Sequence, residues 1–302
     1  MSEGKAIMAL LRLPFMTVTV GGVLLGTAYG YYVSGQFHVL NFVLALLGSC
    51  FFHIATNVAN DYFDFKSGND AANLSGTSPF SGGSRMILDG QVSPRKALGV
   101  SLVFAALGSA IGLFLNFTTP GNWILLFGIV GFILIYSYNG FPLRLVNKGL
   151  GEIAIFLAWG PLIVLGAFYV QAQALTSLWP FIVSIPSGIL TTLVLLINEF
   201  ADQDADASTG RKTWVILFGN RAALVIYLFL AFVCFGVVLA GVLLSRFPLW
   251  SLAVGLTLLM PIQAYRIGSK SLGDWGVFMG AVKSTILLNL VFLVLLSVSF
   301  FI

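Results

Sequence analysis

Charged residues are scarce in this chain. Asp, Glu, Lys and Arg make up 9% of its 302 residues, whereas 58% are hydrophobic. No polar stretch is long enough to build a separate soluble core, which excludes an additional soluble domain. Cysteine is scarce too: Cys50 and Cys234 lie inside apolar runs and match no metal-binding or redox spacing, so we expect both to pack.

Apolar runs of about 20 residues recur along the chain, each long enough to span roughly 30 Å of hydrocarbon as a helix. We therefore expect an all-α polytopic membrane protein, with residues 1–302 forming one integral domain of nine transmembrane helices. The predicted spans lie near 14–33, 38–60, 97–116, 121–139, 150–171, 178–198, 222–244, 247–265 and 277–301. The N-terminal segment lacks the cleavage site of a signal peptide, so we expect it to be retained as a short amphipathic helix.

Charge is distributed unevenly between the two sides that nine spans define. All 11 acidic residues, and all but Arg246 of the 15 Lys and Arg residues, fall on the side of the N-terminus when Glu152 and Lys283 are counted with the preceding loops. The positive-inside bias makes this side cytoplasmic and places the protein in the cell membrane. Acidic residues contribute little to that bias, so their clustering needs another explanation.

A first polar cluster closes the second span. Residues three and four apart share a helix face, so one stripe is predicted to run from within the membrane to the cytoplasm. This stripe consists of His53, Asn57, Asp61 and Asp64. Adjacent carboxylates at a membrane boundary repel unless a cation or a water-filled cavity compensates them. A solvated helix end is the alternative interpretation of this cluster by itself.

A second cluster closes the sixth span, where Asn198, Asp202 and Asp206 are four residues apart. Asn198 and Asp202 follow Asn57 and Asp61 by the same interval, and both spans run in the same direction. The segments 57–64 and 198–206 are therefore interpreted as an approximate parallel repeat whose two stripes face each other across one cavity. Two matching clusters make solvated helix ends a much weaker explanation.

Facing carboxylates and amides are typical of a site for two or three Mg²⁺ ions, which complete their shells with water and phosphate oxygens. The pattern therefore predicts a bound diphosphate. Basic residues of the cytoplasmic loops are candidates to bind it: Lys66, Arg85, Arg144, Lys148, Arg211 and Lys212. The sequence SGGSR around Arg85 can offer backbone N–H groups to an anion, or can be a flexible loop with one solvated Arg.

The sequence resembles the UbiA superfamily of intramembrane prenyltransferases over nearly its whole length. The resemblance rests on Asn60-Asp61-Tyr62-Phe63-Asp64 after the second span and on Asp202-Gln203-Asp204-Ala205-Asp206 after the sixth. Many members carry another Asp four residues after the first element. This chain has Gly68 there and Asp70 two positions later, which puts a metal-ligand role for Asp70 in doubt.

Within the superfamily, NVANDYFDFKSGND, GLGE and DADASTGRKT are most similar to the 1,4-dihydroxy-2-naphthoate polyprenyltransferases of menaquinone synthesis. The resemblance implies nine helices around one central cavity, a polyprenyl diphosphate donor, an aromatic acceptor and Mg²⁺, with no nucleic-acid partner. Asp61, Asp64, Asp202 and Asp206 would be catalytic through the metal, with Asn57 and Asn198 as further ligands. Another acceptor within the superfamily is the first alternative.

The implied chemistry creates an allylic carbocation, which aromatic faces stabilise without attacking it. Tyr62, Tyr136 and Tyr138 are candidates, because they lie near the cytoplasmic ends of their spans. An ion-coupled transporter is the alternative of a different class, since intramembrane acids also mark ion pathways. Transport sites lie near the midplane, however, whereas the acids here cluster at one end.

Other residues have simpler interpretations. Arg12 is interpreted as an interfacial anchor or as a residue that reaches the substrate, with the anchor favoured. His53 is expected to make a hydrogen bond in the cavity wall rather than to catalyse. Glu152 opens the fifth span, where a helix-dipole role and a site role are equally supported. Asp204 points away from Asp202 and Asp206 and is expected to be solvated. Close helix packing is predicted where glycines recur every four residues: Gly22, Gly26 and Gly30.

Overall fold

A computed structural model of the chain describes residues 3–73 and 83–302, and within these ranges the regular elements are helices. The α-helices, in chain order, are α1 Glu3–Leu10, α2 Met16–Ser34, α3 Val39–Ser67, α4 Asn69–Ala72, α5 Pro94–Thr118, α6 Trp123–Asn139, α7 Gly151–Leu157, α8 Ile163–Ala172, α9 Trp179–Ser208, α10 Trp214–Phe218, α11 Asn220–Leu243, α12 Leu259–Lys270 and α13 Trp275–Ser299. Shorter 3₁₀ turns cover Leu13–Phe15, Leu145–Lys148 and Leu249–Thr257, and a π-helical turn, Ala158–Leu162, joins α7 to α8.

The predicted all-α membrane architecture is confirmed. In the described ranges, 7 helices are long and apolar enough to cross a membrane, and α6 is a shorter apolar helix. The predicted span at 247–265 differs: it is a 3₁₀ segment, Leu249–Thr257, followed by the 12-residue α12. A 3₁₀-helix rises about 2.0 Å per residue against 1.5 Å in an α-helix, so this segment extends further than its α-helical length indicates. The count of nine spans stays a prediction.

The chain reverses direction sharply where α3 ends. Gly68 caps this helix with φ 80°, and its N–H donates to the carbonyl oxygens of Asp64 and Phe65. This left-handed conformation favours glycine, which has no Cβ to clash. The turn directs the short helix α4 back over the end of α3, towards α9. Gly68 thereby brings the residues that follow the first acidic element back to the same end of the molecule.

The repeated glycines of α2 allow this helix to pack closely on α8. A Cβ at Gly26 would overlap the Val164 carbonyl oxygen, and one at Gly30 would lie 2.7 Å from the Cβ of Gln171. The predicted close packing is confirmed. The two cysteines also pack as expected: Cys234 is buried, Cys50 is half-buried, and both are free thiols.

Gly26→Ala is expected to lower the free energy of unfolding by about 1–3 kcal/mol, because the added methyl overpacks the α2–α8 contact. Gly99→Ala is the matched control, since Gly99 lies in α5 with no atom within 4 Å of an added Cβ. Alanine favours helices more than glycine does, so the control should be neutral or slightly stabilising. Thermal unfolding in detergent measures both variants. Equal melting temperatures for the two would contradict the packing.

Candidate active site

The two polar clusters lie on the wall of one cavity of about 220 Å³. It opens between the ends of α3 and α9, with α4, α6 and α7 completing the wall. Cluster residues in contact with the cavity are His53, Asn57, Asp64, Asn198, Asp202 and Asp206, and Asn60 of α3 lies beside them. The spacing in the sequence thus corresponds to two helix ends that face the same space.

Arg211 connects the two clusters directly. Its guanidinium forms an ion pair with Asp64 Oδ1 of α3 and, at 3.2 Å, another with Asp206 Oδ1 of α9. The Arg211 side chain is only 13% exposed. One guanidinium therefore reaches carboxylates of both helices, which means that the two acids are close enough to share a single ligand.

Helix α4 and the residue that caps it supply two amides that the sequence analysis missed. Asn69 donates through Nδ2 to Asp206 Oδ1 at 2.9 Å, and Asn73 donates through Nδ2 to Asp202 Oδ1 at 2.7 Å. Both bonds join the segment after α3 to α9. The signal in the sequence is the Asn-rich segment directly after Gly68, which the glycine turn brings back to the cavity.

Asp70 also lies in the cavity wall and is buried, in spite of its shifted position in the sequence. Burial, together with the negative charges of Asp64 and Asp61, raises the pKa of Asp70 to about 8 against the smaller opposing effects of Arg211 and Arg85. Excess negative charge therefore surrounds this position. A bound cation would relieve that charge.

The stripe on α3 differs from the prediction by one position. Asn60, rather than Asp61, lies in line with Asn57 and Asp64, and its Nδ2 donates to Asp64 Oδ2 at 3.0 Å. Asp61 is buried at the cavity edge, where Oδ2 accepts the Ser84 N–H at 3.1 Å. Each residue turns an α-helix by about 100°, so residues at successive spacings of four drift to one side. The metal role of Asp61 stays a prediction.

Arg12 has the position of the second interpretation, a residue that reaches the site, rather than that of the favoured interfacial anchor. It lines the cavity, and its Nη1 lies 3.6 Å from Asp61 Oδ1. Arg12 has φ 51° and lies in the turn between α1 and the 3₁₀ turn Leu13–Phe15. Ala6 and Leu10 of α1 are buried in the cluster that also contains Ile54 and Val58 of α3. The predicted short N-terminal helix therefore packs against the protein rather than lying free at the interface.

Two donors of the SGGSR segment form hydrogen bonds within the protein. The Ser84 N–H is occupied by Asp61, and Arg85 Nη1 donates to the Asn73 carbonyl oxygen at 2.9 Å. Gly83, with φ 69°, lies so close that a Cβ there would be 3.2 Å from both Asp61 Oδ1 and Asp70 Oδ1. Ser81 and Gly82 lie outside the described residues.

The six predicted diphosphate-binding cations fall in different places. Arg211 lines the main cavity, and Arg144 lines a smaller one of about 20 Å³ whose wall also includes Asp64 and Arg211. The exposed residues are Lys66, Arg144, Lys148 and Lys212, whereas Arg85 and Arg211 are partly buried. Lys66 lies over the Tyr62 ring at 5.9 Å. The geometry therefore favours Arg211, with Arg12 as a further cation in the cavity wall.

Of the three candidate tyrosines, only Tyr138 lines the cavity. Tyr136 is 50% exposed and packs edge-on against Phe63 at 5.9 Å, while Tyr62 packs beside the cluster formed by α1 and α3. Both are outside the cavity wall, because they lie on other faces of their helices. Trp159 is the aromatic residue that was missed: it is buried and lines the cavity from the π-helical turn. π-helical turns are frequent at functional sites.

The remaining acids divide as follows. Asp204 is exposed, as predicted. Glu152 is buried and accepts a hydrogen bond from the Trp214 N–H through Oε1, which supports its structural role. Glu199, a neighbour of Asn198 that the sequence analysis missed, is 4% exposed and lines the cavity.

A second cavity of about 160 Å³ adjoins the first and has mainly apolar walls from α3, α5, α6 and α8. His53 and Trp159 belong to both walls. Thr19 Oγ1 lies 2.6 Å from His53 Nδ1 and accepts the Trp159 Nε1–H at 3.0 Å. His53 thus has the hydrogen-bonded position in the cavity wall that was predicted.

The polar cavity offers carboxylate and amide oxygens as possible ligands of a metal ion. In 3–73 and 83–302, no three His, Cys, Asp or Glu side chains are gathered closely enough to hold an ion by themselves. Oxygens without a hydrogen bond from the described residues nevertheless remain buried there: Asp61 Oδ1, Asp70 Oδ2 and Asn198 Oδ1. These hard oxygens, with the surrounding negative charge, fit a cation that takes its other ligands from water and phosphate.

Comparison with known proteins agrees with this geometry. Residues 19–293 match the UbiA prenyltransferase family. The 1,4-dihydroxy-2-naphthoate octaprenyltransferase of Bacillus subtilis is 30% identical over 98% of this chain and 92% of its own. The 2-carboxy-1,4-naphthoquinone phytyltransferase of Synechocystis is 26% identical over 87% of this chain and 82% of its own.

Solved structures show the same fold at low sequence identity. A UbiA homologue from Aeropyrum pernix, in its apo form, is 18% identical with a TM-score of 0.70, covering 95% of this chain and 96% of its own. A homologue from Archaeoglobus fulgidus bound to DMAPP and Mg²⁺ is 17% identical with a TM-score of 0.65, covering 96% and 99%. With the family match over most of its length and two acid clusters on one intramembrane cavity, the chain belongs to the UbiA prenyltransferase family.

Proposed function

We propose that this protein transfers a polyprenyl group from polyprenyl diphosphate to 1,4-dihydroxy-2-naphthoate, a reaction of menaquinone synthesis. The observation that carries the proposal is the pair of adjoining cavities, one lined by two acid clusters and Arg211, the other apolar. The naphthoate acceptor is inferred from the relatives in Bacillus subtilis and Synechocystis. Membership of a prenyltransferase family leaves the transporter alternative without support.

A divalent ion, Mg²⁺ in this proposal, would be held by the acids of both clusters with the amides Asn57 and Asn198. The acids are Asp61, Asp64, Asp202 and Asp206. When bound, Mg²⁺ neutralises negative charge that develops on the diphosphate as its bond to carbon breaks. The Mg²⁺ and DMAPP of the Archaeoglobus fulgidus homologue support this choice of ion.

Arg211 and Arg12 would bind the diphosphate beside the metal. Their guanidiniums line the cavity and are partly shielded from solvent, with 13% and 17% side-chain exposure. Charge stabilisation is strongest where water is excluded and the donors are fixed in advance. Both arginines are fixed by carboxylates of the site, so they need little reorganisation when the C–O bond breaks and its electron pair leaves with the diphosphate.

The apolar cavity would hold the first part of the polyprenyl tail. It meets the polar cavity at His53 and Trp159, so a chain whose diphosphate lies near Asp64 can continue directly between apolar helices. Exclusion of water there protects the allylic carbocation, and the faces of Trp159 and Tyr138 can stabilise its charge. The acceptor ring then attacks this carbon, and the attacked ring position loses its own substituent, either a proton or the carboxylate as CO₂, so that the ring becomes aromatic again.

The polar cavity would open on the cytoplasmic side of the cell membrane. This orientation rests on the excess of Lys and Arg on the side that carries both acid clusters. The chain is a multi-pass membrane protein with 7 clear spans in its described ranges. A cytoplasmic opening would give the water-soluble naphthoate direct access to the site.

The assay uses purified protein in detergent with Mg²⁺, a labelled polyprenyl diphosphate and dihydroxynaphthoate. A prenylated product of dihydroxynaphthoate is expected, and chelation of the metal should abolish its formation. Diphosphate release with another arene but no naphthoate product would overturn the acceptor. No release with any acceptor would overturn the enzymatic function.

A further inference from the structure

We propose that His53 binds the aromatic acceptor by donating a hydrogen bond from Nε2 to an oxygen substituent of the ring, and that Thr19 and Trp159 hold it in the tautomer that can do so. The inference rests on the proposed function, because it assigns one contact of the acceptor. It is carried by the hydrogen bonds among three buried side chains at the junction of the two cavities.

The hydrogen bonds determine the tautomer. Trp159 Nε1 is only a donor, so the Thr19 hydroxyl oxygen must accept at 3.0 Å. The hydroxyl hydrogen of Thr19 then needs an acceptor, and His53 Nδ1, at 2.6 Å, is there to accept it. In the opposite assignment His53 Nδ1 would donate, and the hydroxyl hydrogen of a fully buried Thr19 would have no acceptor among residues 3–73 and 83–302.

A neutral imidazole that accepts at Nδ1 carries its hydrogen on Nε2. Among the described residues, His53 Nε2 makes no hydrogen bond, while the ring itself is 5% exposed and lines both cavities. A ligand oxygen in the cavity would satisfy this donor.

The location of His53 indicates which of the two substrates it contacts, namely the aromatic acceptor. His53 lies one helical turn, about 6 Å, deeper than Asn57 and further still from Asp64. The diphosphate belongs at the acids, and the tail has no oxygen. The reacting carbon joins the two, so the arene that attacks it enters near the junction of the cavities, whose wall includes His53. An oxygen that reaches Nε2 is therefore a hydroxyl or carboxylate of the arene that attacks this carbon.

The ring of His53 is also fixed in orientation. Trp159 packs edge-on against it with the ring centres 5.0 Å apart. Because Trp159 both packs on His53 and donates to Thr19, one side chain controls the direction of the Nε2–H bond and the tautomer. Thr19 and Trp159 are thus positioning residues, which act on the acceptor only through His53.

Nuclear magnetic resonance of ¹⁵N-histidine tests the tautomer without any turnover. The chain has 2 histidines, and His38→Gln leaves His53 as the only signal. His38 itself contacts Gln171 only through its backbone N–H and carbonyl, so this replacement should not disturb the fold. The expected spectrum shows hydrogen on Nε2, and Thr19→Val should give a mixture of tautomers. Hydrogen on Nδ1 in the parent protein would overturn the inference.

Addition of dihydroxynaphthoate without the prenyl donor should shift the Nε2–H resonance. If a saturating arene that the enzyme prenylates leaves this resonance unmoved, the result would count against the contact.

In kinetics, His53→Phe should raise the KM of the acceptor about tenfold and change the KM of the prenyl diphosphate less than twofold. Thr19→Val should also raise the KM of the acceptor more than that of the prenyl diphosphate, but by a smaller factor than His53→Phe. Equal changes in both KM values, or none, would overturn the inference.

Assays with different arenes distinguish a failure of the proposed function from a failure of the His53 inference. If the protein prenylates another hydroxyarene and not dihydroxynaphthoate, the acceptor in the proposed function is wrong. The His53 inference then still predicts a selective rise in KM for that other arene. If dihydroxynaphthoate is the acceptor and His53→Phe leaves its KM unchanged, the proposed function stands and the inference fails.

Discussion

An Asp206→Asn enzyme is expected to lose about 10²–10³-fold in kcat, the range found when one charge-stabilising group is removed from a preorganised site. Asp206 is 3% exposed, lines the polar cavity and accepts from Arg211 and Asn69 through the same oxygen, Oδ1. Asparagine keeps the shape but removes the negative charge that a divalent ion and Arg211 both require. Steady-state rates at saturating substrates measure the loss.

Asp204→Asn provides a matched control on the same helix. Asp204 is exposed and two residues from Asp206, so its replacement removes an equal charge from α9 outside the cavity. Its kcat should stay within about twofold, because exposed charges are screened by water and salt. A similar loss in both variants would indicate a general electrostatic effect and would contradict the site.

Arg211→Gln is expected to lower kcat/KM for the prenyl diphosphate about 100-fold or more, because removal of one fixed charge-stabilising donor has effects of this size. It should also destabilise the protein in the absence of metal. Removal of one partner of a buried ion pair leaves an uncompensated charge, and the loss is about 3–5 kcal/mol. Asp64 and Asp206 would face each other without their shared cation. Kinetics and thermal unfolding measure the two effects separately.

Added Mg²⁺ should restore part of the lost stability in Arg211→Gln, and it should raise the melting temperature more in this variant than in the parent protein. Lys212→Gln is the control, since Lys212 is the next residue and is exposed. It should change neither the kinetics nor the response to Mg²⁺. An Arg211→Gln protein with the melting temperature of the parent protein and no response to Mg²⁺ would contradict this account, in which Arg211 and Mg²⁺ compensate the same carboxylates.

The helical fold and the convergence of the acids could be predicted because both depend on regular spacing. Apolar runs locate the membrane helices, and the equal interval from Asn57 to Asn198 and from Asp61 to Asp202 places two similar helix ends on one side. The structure connects these ends through Arg211. Close packing at Gly26 was equally readable, since small residues one turn apart allow helices to approach.

The rest depends on loop geometry and helix phase, which spacing does not determine. Arg12 reaches the cavity from a turn in which its backbone is left-handed, and Asn73 reaches Asp202 because Gly68 reverses the chain. Tyr136 and Tyr138 are two residues apart on one helix, yet only Tyr138 lines the cavity. Two residues turn a helix by about 200°, so similar depth in the membrane says nothing about the direction of a side chain.

In the proposed function, α3 and α9 together bind one metal-bound diphosphate between them. A double-mutant cycle with Asp64→Asn and Asp206→Asn tests it, with the Mg²⁺-dependent binding of a non-reacting prenyl thiolodiphosphate as the readout. If both acids serve one ligand, each single variant loses most of the binding and the double variant loses little more. Losses that add fully, or a silent change at either residue, would show that the two helix ends act separately.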